Sequence, residues 1–157
     1  PAMKADLFRL ALLAREGGVW VDADDRCLRP IAPLIARGAG LLAYQEDLGS
    51  VGNNLLAARP GHPLVLRALA QASEAVNRGD SDILWLATGP GLLTRVWAGA
   101  LARPSSDEAD DALLLDRADC LAHVAIHCLA AYKASERHWS RTAFGRGRRA
   151  RRGASPG

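Results

Sequence analysis

The sequence predicts an α/β domain whose sheet is mostly parallel. Short apolar segments typical of strands alternate with Ala- and Leu-rich segments typical of helices, and clusters of Gly and Pro separate them. Carboxylates directly follow the first predicted strand, and α/β domains bind their ligands at the carboxyl ends of strands. The 157 residues suit one such domain.

The chain opens with a predicted helix. Residues 4–15 contain no Gly or Pro and are rich in Leu and Ala, which favour helices. Gly17 and Gly18 follow, where a helix commonly ends in a left-handed residue. The β-branched and aromatic residues 19–21 then predict a buried strand. Further along, the pattern predicts strands at 41–44, 53–58 and 112–115, helices at 63–77, 90–101 and 120–136, and either a strand or a helix at 83–86.

Three carboxylates, Asp22, Asp24 and Asp25, follow the first strand. In a strand, residues two apart project from the same face, so Asp22 and Asp24 are expected to lie side by side. Two carboxylates this close repel each other unless a cation lies between them. Mg²⁺ and Mn²⁺ prefer oxygen ligands and keep open positions for phosphate oxygens, so Asp24 and Asp22 are candidate ligands of either ion. An acidic turn without a metal is the alternative that the pair alone leaves open.

Other polar residues offer candidate binding groups. Asp6 and Arg9 lie three residues apart in the first helix and share one of its faces. They either belong to a binding site or form a surface ion pair, which contributes about 0.5 kcal/mol or less. Asn53 and Asn54 begin the strand predicted at 53–58, and they either line the same site or form a turn.

The stretch KADLFRLALLAREGGVWVDADD at 4–25 resembles the core signature of the glycosyltransferases whose sugar-binding region contains a DXD motif. The family includes fungal initiating mannosyltransferases, capsular-sugar transferases and the glucosylating domain of large clostridial toxins. The stretch NNLLAARPGHP at 53–63 and the turn Thr88-Gly89-Pro90 are similar to later blocks of the same family. The resemblance covers about residues 1 to 100.

This resemblance implies a GT-A fold, which is a Rossmann-like nucleotide-sugar domain, and a divalent metal, Mn²⁺ or Mg²⁺. It implies transfer of a hexosyl group from UDP- or GDP-hexose to a glycan, lipid or protein acceptor, with retention at the anomeric carbon. Asp24 would ligate the metal, and Asp22 would assist it and contact sugar or ribose hydroxyls, so both are candidate catalytic residues. Asp6, Arg9 and Asn53 would bind the donor sugar.

The chain departs from the family pattern at both ends. In the family, further strands and helices precede the opening helix, and this sequence starts at Pro1 rather than Met. We therefore expect an N-terminally truncated catalytic region at 1–144, with membrane association provided by missing segments. The late Ser-Trp lid motif has only His138-Trp139 as its nearest match, with Thr142 and Ala143 in the lid positions. The resemblance implies a cytoplasmic location for a bacterial member and the Golgi for a eukaryotic one.

Two other classes of protein fit parts of the pattern. Haloacid dehalogenase-type phosphotransferases also place Asp-x-Asp after an apolar strand, but they require a small hydroxyl or branched residue where Arg26 stands. A non-catalytic or degenerate sugar-nucleotide-binding domain is the second alternative. Metal-dependent binding without turnover would distinguish it from an enzyme.

Composition narrows the function classes further. Residues 145–157 contain five Arg and no acid, so the remaining chain carries −2 instead of the overall +3. That segment has too few apolar side chains to fold, and we expect it to be disordered. It has no interleaved aromatic residue, and no nucleic acid partner is expected. The three Cys residues match neither a disulfide framework nor a zinc site.

Overall fold

The computed structural model describes residues 2–80, 82–103 and 110–129. The late His138-Trp139 motif and the Arg-rich segment at 145–157 lie outside this range. The elements in chain order are α1 (Ala2–Glu16), β1 (Gly18–Val21), β2 (Arg26–Cys27), α2 (Ala32–Ile35), β3 (Leu41–Tyr44), β4 (Leu55–Ala58), α3 (Pro63–Asn77), α4 (Leu84–Ala87), α5 (Pro90–Leu101), β5 (Ala112–Leu115), α6 (Arg117–His123) and β6 (Val124–Ala125).

A four-stranded sheet with the order β1-β4-β3-β5 forms the centre of the described structure, and β2 and β6 form a separate antiparallel pair. The α/β class is confirmed, and the sheet is mixed. A short loop joins β3 to β4, so these strands are antiparallel, as are β4 and β1. The connection from β4 to β5 includes α3, α4 and α5, and its length lets β5 run parallel to β3.

Alternating side chains of the strands build a core on each face of the sheet. Leu41 and Ala43 contribute to one apolar cluster, where α1, α3 and α5 pack. Leu42 and Tyr44 contribute to the other, together with residues of α2 and α6. The central strands β3 and β4 are buried along their whole length because helices cover both faces.

The first strand lies at the edge of the sheet. Val19 and Val21 are 41% and 40% exposed, so the prediction of a buried strand is wrong for these two residues. Their β-branched side chains favour a strand at any position, and only the tertiary neighbours decide burial. Trp20 is half-buried against the core. The edge position leaves the residues that follow Val21 open to a cleft.

Local sequence signals set several element boundaries. α3 and α5 begin at Pro63 and Pro90 as predicted, and segment 83–86 resolves into the short helix α4. Gly17 has φ +66°, and a Cβ there would lie 2.7 Å from the Ala58 carbonyl oxygen, so this helix end requires Gly. In the segment predicted as a helix at 120–136, α6 extends from Arg117 to His123 and is followed by β6, whereas residues 130–136 lie outside the described residues. Among the described residues, no helix has the length and apolar character needed to cross a membrane.

Candidate functional site

A cleft of about 540 Å³ opens where α1, the end of β1, the start of β4 and the α4–α5 junction meet. One face of α1 lines it, because Ala2, Ala5, Asp6 and Arg9 recur at helical spacing. The predicted site residues all reach this cleft, although they come from separate segments of the chain. They are Asp6, Arg9, Asp22, Asp24 and Asn53.

Arg9 holds the inner part of the cleft together. Its guanidinium donates hydrogen bonds to Asp22 Oδ1 at 2.9 Å and to the Asn53 carbonyl oxygen at 2.6 Å. It also lies over the ring of Trp20, 5.3 Å from the ring centroid. The residue is only 4% exposed, so the surface ion-pair alternative is wrong. Its Nε has no hydrogen-bond partner among the described residues.

Asp6 is buried next to Arg9 and accepts hydrogen bonds on both carboxylate oxygens. Asn53 Nδ2 donates to Oδ1 at 3.0 Å, and Thr88 Oγ1 donates to Oδ2 at 2.9 Å. Burial raises the pKa of this carboxyl above its ordinary value, although Arg9 and the two hydrogen bonds oppose the shift. Thr88 belongs to the Thr-Gly-Pro turn, so that turn contacts the predicted sugar-binding pair directly.

The two carboxylates of the DXD motif line the same cleft but have different neighbours. The chain turns directly after β1, where the Asp25 amide donates to the Asp22 carbonyl oxygen at 2.9 Å. Asp22 accepts from Arg9 and from Trp20 Nε1, at 2.9 and 2.8 Å. Asp24 instead faces the loop after β6, where its Oδ2 lies 3.8 Å from His127 Nδ1. The strand ends at Val21, so the strand geometry from which the side-by-side arrangement is predicted does not extend to these two residues.

Asp24, Asp25 and His127 form a cluster whose potential ligand atoms all lie within 4.8 Å of one another. The two carboxylates are ligands that suit Mn²⁺ or Mg²⁺, and the imidazole adds a nitrogen ligand of the kind that transition metals accept. Burial raises the pKa of Asp25, while hydrogen bonds from Asn54 and the His127 amide lower it. A divalent cation therefore fits this corner by its chemistry. Asp24 belongs to the cluster, whereas Asp22 does not.

The adjacent residues Asn53 and Asn54 have different environments. The Asn53 amide reaches Asp6 in the cleft. Asn54 is 2% exposed and accepts from the Tyr44 hydroxyl at 2.6 Å while its amide donates to Asp25. Burial strongly raises the pKa of Tyr44, so its hydroxyl is a donor at neutral pH. Asn54 thus supports the acidic corner from behind.

Sequence reasoning missed several cleft residues. The apolar stretches around Trp20, Trp85 and Trp97 predict core positions, yet of the three only Trp97 is buried, and the other two line the cleft. Nothing in the local pattern marks His127, which the fold brings to the acidic turn from 102 residues away. The Pro-Gly-His-Pro sequence at 60–63 predicts a turn role for His62, and this residue caps the start of α3 by accepting from the Leu64 amide.

The comparison with solved structures assigns the class of fold. A structure titled "PaToxG Glycosyltransferase" aligns with 62% of this chain and 34% of its own chain, at a TM-score of 0.52 and 23% identity. This likeness concerns the fold alone. Together with the sheet and its covering helices, it confirms a GT-A-like α/β fold.

The comparison with family models finds the same resemblance. Residues 1–40 match the family model described as glycosyltransferase sugar-binding region containing DXD motif. This match confirms the resemblance that the sequence predicts. All of α1, β1 and the acidic turn lie within the matched residues.

Two curated relatives carry the same resemblance further along the chain. Mannosyl phosphorylinositol ceramide synthase SUR1 of Saccharomyces cerevisiae is 33% identical over 105 residues, which are 62% of this chain and 25% of the relative. Inositol phosphoceramide mannosyltransferase 1 of Schizosaccharomyces pombe is 30% identical over 103 residues, 64% of this chain and 32% of the relative. The chain thus spans about a quarter to a third of these relatives.

Proposed function

We propose that this protein transfers a hexosyl group from a nucleotide-diphosphate sugar to an acceptor, assisted by a divalent metal. The observation that carries the proposal is the convergence of Asp6, Arg9, Asp22 and Asn53 on one cleft that also contains Asp24. Carboxylates, an amide and a guanidinium in a partly apolar cleft are the groups that bind sugar hydroxyls. The names of the mannosyltransferase relatives support mannose as the first hexose to test.

The polar residues of the inner cleft divide the binding task. Asp6 and Asn53 present a carboxylate and an amide, which together accept from and donate to the donor hydroxyls. Arg9 fixes the position of the Asp22 carboxylate, which can accept hydrogen bonds from hydroxyls of the hexose or ribose. The buried position of Arg9 strengthens these interactions because water is excluded from it.

We propose the corner formed by Asp24, Asp25 and His127 as the metal site, with Mn²⁺ or Mg²⁺ as the ion. A divalent ion there would neutralise the charge that develops on the leaving diphosphate. Asp24 lies two residues after Asp22 in the chain and lines the same cleft, so the metal site would lie next to the hexose pocket. Asp22 takes the sugar-binding role in this proposal, and its expected part in metal ligation is left to the test below.

The relatives suggest an acceptor class as well. Both curated names describe transfer to inositol-containing ceramide lipids, so we propose a lipid acceptor as the first candidate, before a glycan or a protein. A Golgi location would follow for a eukaryotic member with such an acceptor. We further propose that residues 1–144 form the catalytic region and that 145–157 play no part in donor binding.

The test is a donor assay on the full chain. GDP-mannose, UDP-glucose and UDP-galactose are each incubated with the protein and Mn²⁺, and release of the nucleoside diphosphate is measured with and without a lipid acceptor. We expect release for one donor, abolished by a chelator and restored by Mn²⁺. Binding of a nucleotide sugar without any release would favour the non-catalytic binding domain, and no binding at all would contradict the proposal.

A further inference from the structure

The cleft contains two tryptophans in opposite situations. The ring of Trp20 is covered by Arg9 on one face and by the edge of Phe8, and its N–H donates to Asp22. One ring face and the N–H of Trp20 therefore already contact groups of the protein itself. Trp85 also lines the cleft, but it is 47% exposed, and its indole N–H has no hydrogen-bond partner in the part of the chain that the structure describes.

Glycines in the next turn make room for the Trp85 ring. A Cβ at Gly91 would overlap the six-membered ring of this indole, and one at Gly89 would lie 3.1 Å from the Trp85 Cα. The ring therefore rests directly on the backbone at the start of α5. An aromatic side chain seated in this way has few alternative rotamers, so it presents a fixed surface to the cleft.

The helix that carries Trp85 is tied to the donor pocket. Thr88, which directly follows α4, donates to Asp6 Oδ2. Arg95 of α5 donates to the Leu86 carbonyl oxygen at 3.0 Å. These two contacts hold α4 as one wall of the cleft. Its other side faces a second cleft of about 570 Å³, which Ile83 and Leu86 line.

We propose that Trp85 is a stacking platform for a hexopyranose ring bound in this cleft. The C–H bonds on one face of a pyranose carry partial positive charge, and the face of an indole is negative. The polar partners that would bind the hydroxyls of the same sugar, Asp6 and Asn53, lie directly beside the Thr88 turn. An aromatic face together with such polar groups recognises a ring that is apolar on its face and polar at its rim.

The position of Trp85 favours a sugar over a nucleobase. In a nucleotide sugar the diphosphate separates the hexose from the nucleoside. Asp6 and Thr88 lie next to α4, whereas the acidic corner is built by Asp24 and the loop at 126–128. If the diphosphate lies at the acidic corner, the group next to α4 is the hexose. This inference rests on the proposed function, and it identifies which part of the ligand meets α4.

The experiment measures binding to the full chain in Mn²⁺ by isothermal titration calorimetry. The ligands are the preferred nucleotide hexose and the matching nucleoside diphosphate. We expect Trp85→Ala to weaken nucleotide hexose binding about tenfold and to leave nucleoside diphosphate binding unchanged. Trp85→Phe should retain most of the affinity because it keeps an aromatic face. Ile83→Ala is the matched control. Ile83 directly precedes α4, and its exposed apolar side chain lines the second cleft rather than the proposed sugar site.

A second variant moves the platform without removing it. Gly91→Ala introduces the Cβ that overlaps the indole ring, so it should weaken binding in the same direction as Trp85→Ala. Ala favours a helix more than Gly does, and a melting temperature that does not fall would separate this effect from unfolding. An unchanged nucleotide hexose affinity in Gly91→Ala would contradict the seated position of the ring.

Donor affinity and acceptor KM together show whether the pyranose that stacks on Trp85 belongs to the donor or to the acceptor. If Trp85 stacks on the donor hexose, donor affinity falls without an acceptor present. If it stacks on an acceptor sugar, donor affinity is unchanged and the acceptor KM rises by a similar factor. The inference is overturned if Trp85→Ala matches the unsubstituted protein in both measurements, or weakens nucleoside diphosphate and nucleotide hexose equally, as a nucleobase platform would. If the unsubstituted protein binds no nucleotide hexose, the proposed function fails as well.

Discussion

The two carboxylates of the DXD motif are separated by one alanine and have opposite surroundings. Asp22 lies next to the buried guanidinium of Arg9 and accepts a second hydrogen bond from Trp20. Asp24 lies in a group with another carboxylate and an imidazole. Asp22 is paired with a guanidinium of the protein itself, whereas Asp24 lies beside a second carboxylate, Asp25, and the imidazole of His127. A cation is accordingly expected at Asp24, and sugar hydroxyls are expected at Asp22.

This difference originates in the backbone. A continued strand would have aligned both side chains, but the turn after Val21 directs them to different elements. Asp22 remains beside α1, and Asp24 meets the loop that follows β6, where the Cys128 amide donates to its carbonyl oxygen at 2.8 Å. We therefore propose that the motif joins a sugar pocket to a metal corner. The following predictions test that division, from the largest expected effect to the smallest.

The strongest contrast is expected between Asp24→Asn and Asp22→Asn. Removing one group that stabilises developing charge typically lowers turnover by about 10² to 10³-fold. Asp24→Asn should therefore reduce kcat on this scale, whereas Asp22→Asn should act mainly through a higher donor KM. Steady-state kinetics with saturating Mn²⁺ checks both. Equal kcat losses with unchanged KM in the two variants would contradict separate roles.

Arg9→Lys should produce the next largest effect. The guanidinium bonds to Asp22 and to the Asn53 carbonyl oxygen at the same time, and an ammonium cannot reproduce that geometry. Loss of one charge-assisted bond costs about 1–3 kcal/mol, so kcat/KM should fall about tenfold or more. Arg15→Lys, an exposed position on the same helix, is the control. A variant with unchanged donor hydrolysis would show that the buried pair is purely structural.

The adjacent asparagines should separate stability from binding. Asn54→Ala leaves the buried Tyr44 hydroxyl and Asp25 without their shared partner, which costs about 1–3 kcal/mol and several degrees of Tm. Asn53→Ala should change Tm little and lower donor affinity instead, because its amide faces the cleft. Thermal unfolding and donor titration of both variants provide the check. A larger loss of Tm in Asn53→Ala and a larger loss of donor affinity in Asn54→Ala would contradict these roles.

The smallest effect concerns pH. Burial raises the folded-state pKa of Asp6 above its ordinary value of 3.8, so its contribution to stability is full below that value and lost as pH rises through the folded-state pKa. Asp6→Asn should therefore gain stability relative to the unsubstituted protein as pH rises over this window. Unfolding by urea at several pH values measures the difference.

Asp111 is the matched control of opposite sign for the pH prediction. Its hydrogen bonds from Arg59 and the Gly40 amide lower its pKa, so its contribution is present above 3.8 and lost as pH falls through the folded-state pKa. The difference in free energy of unfolding between Asp111→Asn and the unsubstituted protein should therefore disappear in acid. If the difference in unfolding free energy does not change with pH for either variant, neither carboxyl is coupled to folding.

The sequence predicts the parts of the fold that depend on local signals. Pro63 and Pro90 fix the starts of α3 and α5, and the Gly17-Gly18 pair ends α1, because each of these residues restricts or permits particular backbone angles. The family resemblance, which rests on residues near these points, also identifies Asp6 and Arg9. The hydrogen bond between Asp6 and Thr88 follows from packing across 82 residues and has no local signal.

The acidic motif shows where local patterns stop being informative. The strand preference of residues 19–21 says nothing about whether β1 is central or at an edge, nor about the residue at which the strand ends. Both facts depend on β4 as the partner strand. The positions of His127 and Trp85 also depend on distant parts of the chain. The β2–β6 pair brings His127 to the cleft, and glycines at the start of α5 make room for the Trp85 indole.

The most direct test of the central claim is a calorimetric titration of Mn²⁺ into the full chain in the presence of the preferred nucleoside diphosphate, with Asp22→Asn and Asp24→Asn alongside. We expect one Mn²⁺ to bind to the unsubstituted protein and to Asp22→Asn with similar affinity, and binding to be lost or weakened at least tenfold in Asp24→Asn. Equal Mn²⁺ affinity in Asp24→Asn and the unsubstituted protein would contradict a metal corner at Asp24 and the division of the motif that depends on it.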